Sequence, residues 1–259
     1  MGCEDMMKRR QLLRNASAAF VSTLGLGIAS NWQAYQAQTG TLRITSLGHM
    51  CFQFSGGGKT ILTNPFTPVG CTEGYAAPNL TGADLVLISS RLFDEGFIPD
   101  GVSVNYLLDE PGAYEVNGLS VQGVGMPHDR EGGRRFGTNT AWLWMQAGIK
   151  VVHLGGAAAP IDLEDRILIG RPDVLLVPVG GGPKAYNPAE AVAAIESLQP
   201  KLVIPTQYRT NAAGSSCELE AVDAFLGLMA GTPVERVGST LTVQSSGLPA
   251  SGMQIKVLS

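Results

Sequence analysis

Short apolar runs set off by glycine and proline dominate the first two thirds of this chain, and their spacing predicts strands rather than long helices. Such runs lie near residues 41–47, 50–54, 60–63, 85–88, 105–108, 120–124, 141–145 and 150–153. Residues 174–177 and 202–204 are apolar without alternation, the pattern of strands buried on both faces. Two segments carry helical spacing instead. Asn187-Pro188 opens one that runs to Leu198, with proline in its first turn and Ala191, Ala194, Ile195 and Leu198 repeating at three and four. Residues 216–229 are expected to form the second, with Ser216 as N-cap and Gly231 just past the end. Strands first, then strands alternating with helices, make this an α/β chain.

Residues 1–40 do not fit that pattern. Met7-Lys8-Arg9-Arg10-Gln11-Leu12-Leu13-Arg14 precedes a mildly apolar stretch ending at Gly27-Ile28-Ala29, which reads as a twin-arginine leader with its processing point. The stretch includes Ser17, Ser22, Thr23, Gly25 and Gly27 and is shorter than the ~20 residues a membrane span needs. The expected organisation is a signal peptide over 1–29, a linker over 30–40 and one domain over 41–259. Export would deliver the domain to a periplasm or thylakoid lumen, with no transmembrane span once the leader is removed.

Composition narrows the partners. Charged residues are 15% of the chain, and 33 glycines suit many strands and tight turns. Removing residues 1–29 takes away four basic and two acidic groups and leaves a net charge of 6 negative. With no basic stripe or aromatic platform, nucleic acid is not expected as a partner; a small molecule or another protein is. Cys3 leaves with the leader, and Cys51, Cys71 and Cys217 show no C-x-x-C spacing. An odd count defines no disulfide framework, so isolated or buried thiols are expected, with a Cys51–Cys71 pair as the alternative.

Candidate chemistry lies where the strand Ala83-Asp84-Leu85-Val86-Leu87-Ile88-Ser89 runs into Ser90-Arg91-Leu92-Phe93-Asp94-Glu95-Gly96. Other blocks fall around it in a fixed order. They are Leu47-Gly48-His49-Met50-Cys51-Phe52, Ile61-Leu62-Thr63-Asn64-Pro65-Phe66, Pro127-His128-Asp129, Thr138-Asn139-Thr140, His153-Leu154-Gly155-Gly156, residues 173–182, and Val203-Ile204-Pro205-Thr206-Gln207-Tyr208. Over roughly residues 41–210 this order resembles the metallo-β-lactamase superfamily, in the branch related to the ascorbate-phosphate lactonase-like zinc-dependent hydrolases. The resemblance implies a four-layer αββα sandwich. It also implies a metal site built on H-x-H-x-D-H, and that motif is degenerate here. Its histidine positions fall on Ser90, Leu92 and Glu95, and its aspartate on Asp94. The later ligands fall on His128, on Gly156 where the family has a bridging aspartate, and on Gln207 where it has a histidine. Asn64 replaces the aspartate of the family's ILxDPF block. Only Asp94 and His128 keep a family ligand, and the family assigns them to different metals.

Fold and function therefore separate, and function must be argued from the site. One metal position would be left with Ser90, Leu92 and His128, and Leu92 has no lone pair. The other would hold Asp94, Glu95 and Gln207, an oxygen set suited to a hard ion rather than zinc. Ser90, His128 and Asp94 have the types of a nucleophilic triad, but no G-x-S-x-G elbow presents the serine. His153, at a strand end, and His49, in a turn, are expected to be held by structural hydrogen bonds, and His128 to bond Asp94 across the old site. Gly180-Gly181-Gly182 reads as a cleft wall, with Lys184 out of register for a phosphate-binding loop, and residues 132–135 as a solvated loop over the cleft mouth.

The expected function is that of an exported pseudo-enzyme that has lost most metal ligands, acts by binding a small molecule or protein and carries no cofactor. Asp94 and His128 mark its former catalytic centre, and Ser90, Glu95, Asn64, Gly156 and Gln207 line the cleft. One alternative is a hydrolase of esters, lactones or phosphoesters with a single divalent ion at Asp94, Glu95 and Gln207. Another is an assembly or scaffold protein of the periplasm or lumen.

Overall fold

The computed structural model describes residues 40–259, so the leader and residues 30–39 of the linker lie outside the described residues. Its strands are β1 (Thr41–Gly48), β2 (Cys51–Gly56), β3 (Lys59–Thr63), β4 (Leu85–Leu87), β5 (Leu107–Leu108), β6 (Gly112–Val116), β7 (Leu119–Pro127), β8 (Thr138–Gln146), β9 (Ile149–His153), β10 (Val174–Pro178), β11 (Leu202–Thr206), β12 (Val234–Val237), β13 (Thr240–Gln244) and β14 (Gln254–Leu258). The helices are α1 (Leu163–Ile169), α2 (Pro188–Leu198) and α3 (Val222–Leu228).

The strands form two sheets, ordered β13-β1-β2-β3-β4-β5 and β12-β14-β11-β10-β9-β8-β7-β6. Register follows the apolar pattern, since a slip of one residue would turn each buried side chain outward. Ile44 pairs with Phe54 and Phe54 with Ile61, all three fully buried. Between the sheets, Leu42, Ile44, Phe54, Ile61, Leu85 and Leu87 meet Trp142, Trp144, Val151, Val174, Leu176 and Ile204. Phe54 and Trp144 stack edge to face, with ring centroids 4.9 Å apart. The outer face of the eight-stranded sheet is covered by helices. Ala191, Ala194, Ile195 and Leu198 of α2 and Val222 and Phe225 of α3 pack on Val152, Leu175, Val177 and Val203.

This is the α/β sandwich expected from the sequence, with one difference in its outermost layer. Over the six-stranded sheet, Cys51, Leu62, Val86 and Ile88 are covered by Phe66, Leu80 and Ala83 from the irregular chain between β3 and β5, not by α-helices. The second predicted helix is also shorter, starting at Val222 after a cap residue, Ala221, whose side chain makes no cap bond. Tertiary contacts hold residues 216–221 out of the helix. Cys217 is bonded to Cys71, and Glu220 donates its N–H to Gly180 O at 2.7 Å. Of the cysteines, Cys51 is a free, buried thiol as expected, whereas Cys71 is bridged to Cys217 across 146 residues, a pairing not expected. Helix α1 was unforeseen because its apolar residues Leu163, Ile167 and Leu168 face solvent.

The ends of β3, β4, β9, β10 and β11 meet at one edge of the sandwich. Asn64 N–H donates to Leu87 O, Thr140 N–H to Ser89 O, Val179 N–H to Thr206 O and Gly180 N–H to Gln207 O. Carboxyl ends of parallel strands are where open α/β sheets bind ligands.

Candidate functional site

Glu95 is the centre of that edge. Its backbone closes a tight turn after β4, with the N–H groups of Glu95 and Gly96 donating to Leu92 O at 2.9 and 2.8 Å, and the side chain is fully buried. Ser90 Oγ donates to Oε2 at 2.8 Å and Gln207 Nε2 to Oε1 at 2.7 Å. His128 Nε2 lies 2.9 Å from Oε2, and Lys184 Nζ lies 3.0 Å from Oε1. Burial alone would raise the carboxyl pKa, but His128, Lys184 and Ser90 outweigh it and hold it at about 2.

Lys184 joins this centre to Asp94, with Nζ 2.6 and 2.7 Å from the two Asp94 oxygens. Burial disfavours the ammonium, but Glu95 and Asp94 together raise its pKa above the ordinary lysine value. The turn that delivers Lys184 is anchored by Arg130. The guanidinium donates to Gly182 O and Ala185 O, each at 2.9 Å, and to Glu190 Oε1 at 2.7 Å. Arg130 itself leaves a loop organised by Asp129, whose carboxylate accepts the N–H groups of Glu131, Gly133, Arg135 and Phe136. Burial opposes that charge, and the four donors still hold the Asp129 pKa at about 2.

Five residues singled out in the sequence therefore converge: Ser90, Asp94, Glu95, His128 and Gln207. Gly156 packs against them, and a Cβ there would lie 2.4 Å from His128 Nε2 and 2.7 Å from Glu95 Oε2. The His128–Glu95 pair thus occupies the space that a side chain at 156 would need. Asn64 is not in the cleft. It ties strand ends together, accepting Ser89 N–H on Oδ1 at 2.8 Å. The expected His128–Asp94 bond is absent, because Glu95 sits nearer His128 and Lys184 takes Asp94. Ser90 directs its hydroxyl to Glu95, so no Ser90–His128 nucleophile and base pair forms.

His153 behaves as expected, accepting Gly155 N–H on Nδ1 at 3.0 Å while Nε2 lies 3.0 Å from Met50 O; burial depresses its pKa to about 4. His49 does not, since neither ring nitrogen has a hydrogen-bond partner among the described residues. Its pKa is pushed down to about 4, chiefly by burial. Sequence reasoning passed over two residues. Asn139 donates to Leu154 O at 2.8 Å and accepts Gly156 N–H at 2.9 Å, which fixes the loop beneath the centre. Lys184 was dismissed for its register, although a cation beside a glycine turn is a fitting partner for two adjacent acids.

The donors do not fit a divalent ion as they stand. Among the described residues no three His, Cys, Asp or Glu side chains are grouped to hold one. Leu92 offers no donor, each Glu95 oxygen is in contact with two other polar groups, and an ammonium lies between Glu95 and Asp94.

Comparison with known proteins gives the lineage of this edge. A family model described as the beta-lactamase superfamily domain matches residues 43–207. The chain belongs to the beta-lactamase superfamily. A Thermotoga maritima crystal structure named for the zinc-dependent hydrolases of the metallo-beta-lactamase superfamily shares 35% identity, covering 84% of this chain and 98% of its own, at a TM-score of 0.66. Proteins of Thermococcus onnurineus and Methanoculleus marisnigri, both named metal-dependent hydrolases, are 29% and 30% identical over 65% of this chain and 85% and 82% of their own length. A metallo-beta-lactamase-fold protein of Bacillus subtilis, 10% identical with a TM-score of 0.54, shares the fold alone. The relatives' names fit the hydrolase alternative, with its divalent ion, better than a cofactor-free pseudo-enzyme. The side chains at the centre of this chain do not.

Proposed function

We propose that this beta-lactamase superfamily member works by binding rather than by metal-dependent hydrolysis, at the edge formed by the loops around Glu95. The observation that carries this reading is the Glu95 carboxylate, buried and engaged by Ser90, Gln207, His128 and Lys184 with no open coordination position. A catalytic metal site typically has three protein donors and keeps a position open for water. Here Leu92 and Gly156 stand where donors are needed, and the Gly156 position has no room for one.

The second reading, a metal-dependent hydrolase, is favoured by the names of the relatives and by the convergence of the Asp94 and Glu95 carboxylates on one cation. Plasma mass spectrometry on protein purified without chelator separates the two. Metal well below one equivalent supports the binding reading. One equivalent of a divalent ion, lost together with esterase or lactonase activity in Asp94→Ala, supports the hydrolase.

Export by the twin-arginine route, to a periplasm or thylakoid lumen, belongs to the same proposal. It is supported by Arg9-Arg10 with Leu12-Leu13 and, independently, by the Cys71–Cys217 bridge, since disulfides persist in oxidising compartments. Fractionation of cells expressing the full chain tests it. Protein bearing Lys at both Arg9 and Arg10 should stay in the cytoplasm, whereas unchanged delivery overturns the route. The lactonase-related branch remains the substrate class to assay first if metal is found.

A further inference from the structure

We infer that the Lys184 ammonium is the resident cation of this centre, standing in for a divalent ion, and that its removal uncovers a latent site for a hard divalent ion between Asp94 and Glu95. This rests on the reading of a metal-free centre given above.

Lys184 Nζ is within 2.6 to 3.0 Å of three oxygens from two carboxylates, one of them fully buried. An ordinary surface ion pair joins mobile side chains and contributes little. This lysine is instead presented by a closed turn, in which Gly181 N–H donates to Tyr186 O at 2.8 Å and Arg130 clamps two further carbonyls. A compact ammonium on a flexible stem suits a point charge between carboxylates better than a planar guanidinium does. It brings half the charge of a divalent ion, and the Ser90 hydroxyl and Gln207 amide supply further donors to the Glu95 anion.

The residues around the ammonium also show what would replace it. Three carboxylate oxygens face the position of Nζ, and Gln207, 1% exposed, holds one of them through its amide nitrogen. Two carboxylates are hard oxygen donors, matched to Mn2+, Mg2+ or Ca2+ rather than to zinc. Truncating the lysine removes the competing cation and leaves the space of its stem for an ion and its waters.

Wild type, Lys184→Ala and Lys184→Arg, each as the full chain, would be titrated with Mn2+ and followed by loss of the free-ion electron paramagnetic resonance signal and by thermal denaturation. Wild type and Lys184→Arg should bind no Mn2+, and its addition should leave their melting temperatures unmoved. Lys184→Ala should melt several degrees lower and regain most of the loss with Mn2+, binding one ion. Adding Asp94→Ala to it should abolish that binding. If Lys184→Ala folds only poorly, refolding with and without Mn2+ is the readout, and recovery confined to the Mn2+ sample supports the inference. Failure of Lys184→Ala to bind or respond to Mn2+, with wild type also metal-free, overturns the inference and leaves the proposed function standing. One equivalent of Mn2+ on wild type instead overturns the proposed function.

Discussion

Two buried polar clusters lie side by side at the same edge of the sandwich, and they differ in what satisfies them. In the first, His153, Asn64 and Asn139 are bonded to backbone groups of neighbouring strand ends: Met50 O, Gly155 N, Ser89 N, Leu154 O and Gly156 N. In the second, Glu95, His128, Lys184, Asp94, Ser90 and Gln207 meet chiefly one another, from four separate loops. Backbone partners come with the fold, so the first cluster is a latch that any member of this architecture can use. Side-chain partners must be matched residue by residue, so the second cluster records what this chain does with its site. Charge sharpens the contrast. The latch is neutral in its main contacts, whereas the centre buries a carboxylate that is stable only while its partners remain.

Glu95→Ala tests that contrast with the largest expected effect. It leaves His128, Lys184 and Gln207 facing a void, and breaking a buried ion pair from one side costs about 3–5 kcal/mol. Urea denaturation should show a loss of that size, and unchanged stability would merge the two clusters into one kind. Acid comes next. The folded pKa values of His49 and His153 are about 4, below the ordinary histidine value of about 6.5. Between those values the unfolded chain binds protons that the folded chain refuses, so stability present at neutral pH declines as pH falls through this window. At about 1.4 kcal/mol per pKa unit the two rings together account for several kcal/mol. Glu95 adds a second loss, from the ordinary carboxylate range down to about pH 2. Denaturation midpoints at a series of pH values check both steps, and His153→Gln should flatten the upper one.

Asn139→Ala is a smaller perturbation confined to the latch. It strips partners from the buried carbonyl of Leu154 and N–H of Gly156, at about 1–3 kcal/mol, and should leave the charged centre intact. A loss of ligand or metal response beyond that stability change would show that the latch positions the site. Asp94→Asn should be the mildest, about 1 kcal/mol, because the amide oxygen still accepts from Lys184 and Asp94, unlike Glu95, keeps some contact with solvent. A fall matching that of Glu95→Ala would place Asp94 inside the centre rather than at its rim.

Much of the fold was legible because strand runs and their order are local properties. The ten strands read from apolar runs are present, and α2 begins at the Asn187-Pro188 signal with a capping box to Glu190. What was misread lay where distant contacts override local preference. Residues 216–221 have helical spacing, but the Cys71 bridge and the Gly180 carbonyl hold them out of the helix. Site membership was legible in the same degree. Ordered motifs marked Ser90, Asp94, Glu95, His128, Gly156 and Gln207 as neighbours, since each follows or flanks a strand that ends at one edge.

The sequence by itself determined the lineage, the sandwich and the residue types gathered at the site, because these depend on residues at fixed places along the chain. Only the tertiary structure decided how those residues pair. No local pattern links Lys184 to residues 94 and 95, some 90 positions away, or His128 to Glu95 in preference to Asp94. Pairing of buried charges is settled by distances of a few tenths of an ångström, set by loop closure and packing after the strands have formed. One lysine from a glycine turn thus completes a centre that the sequence alone presented as empty.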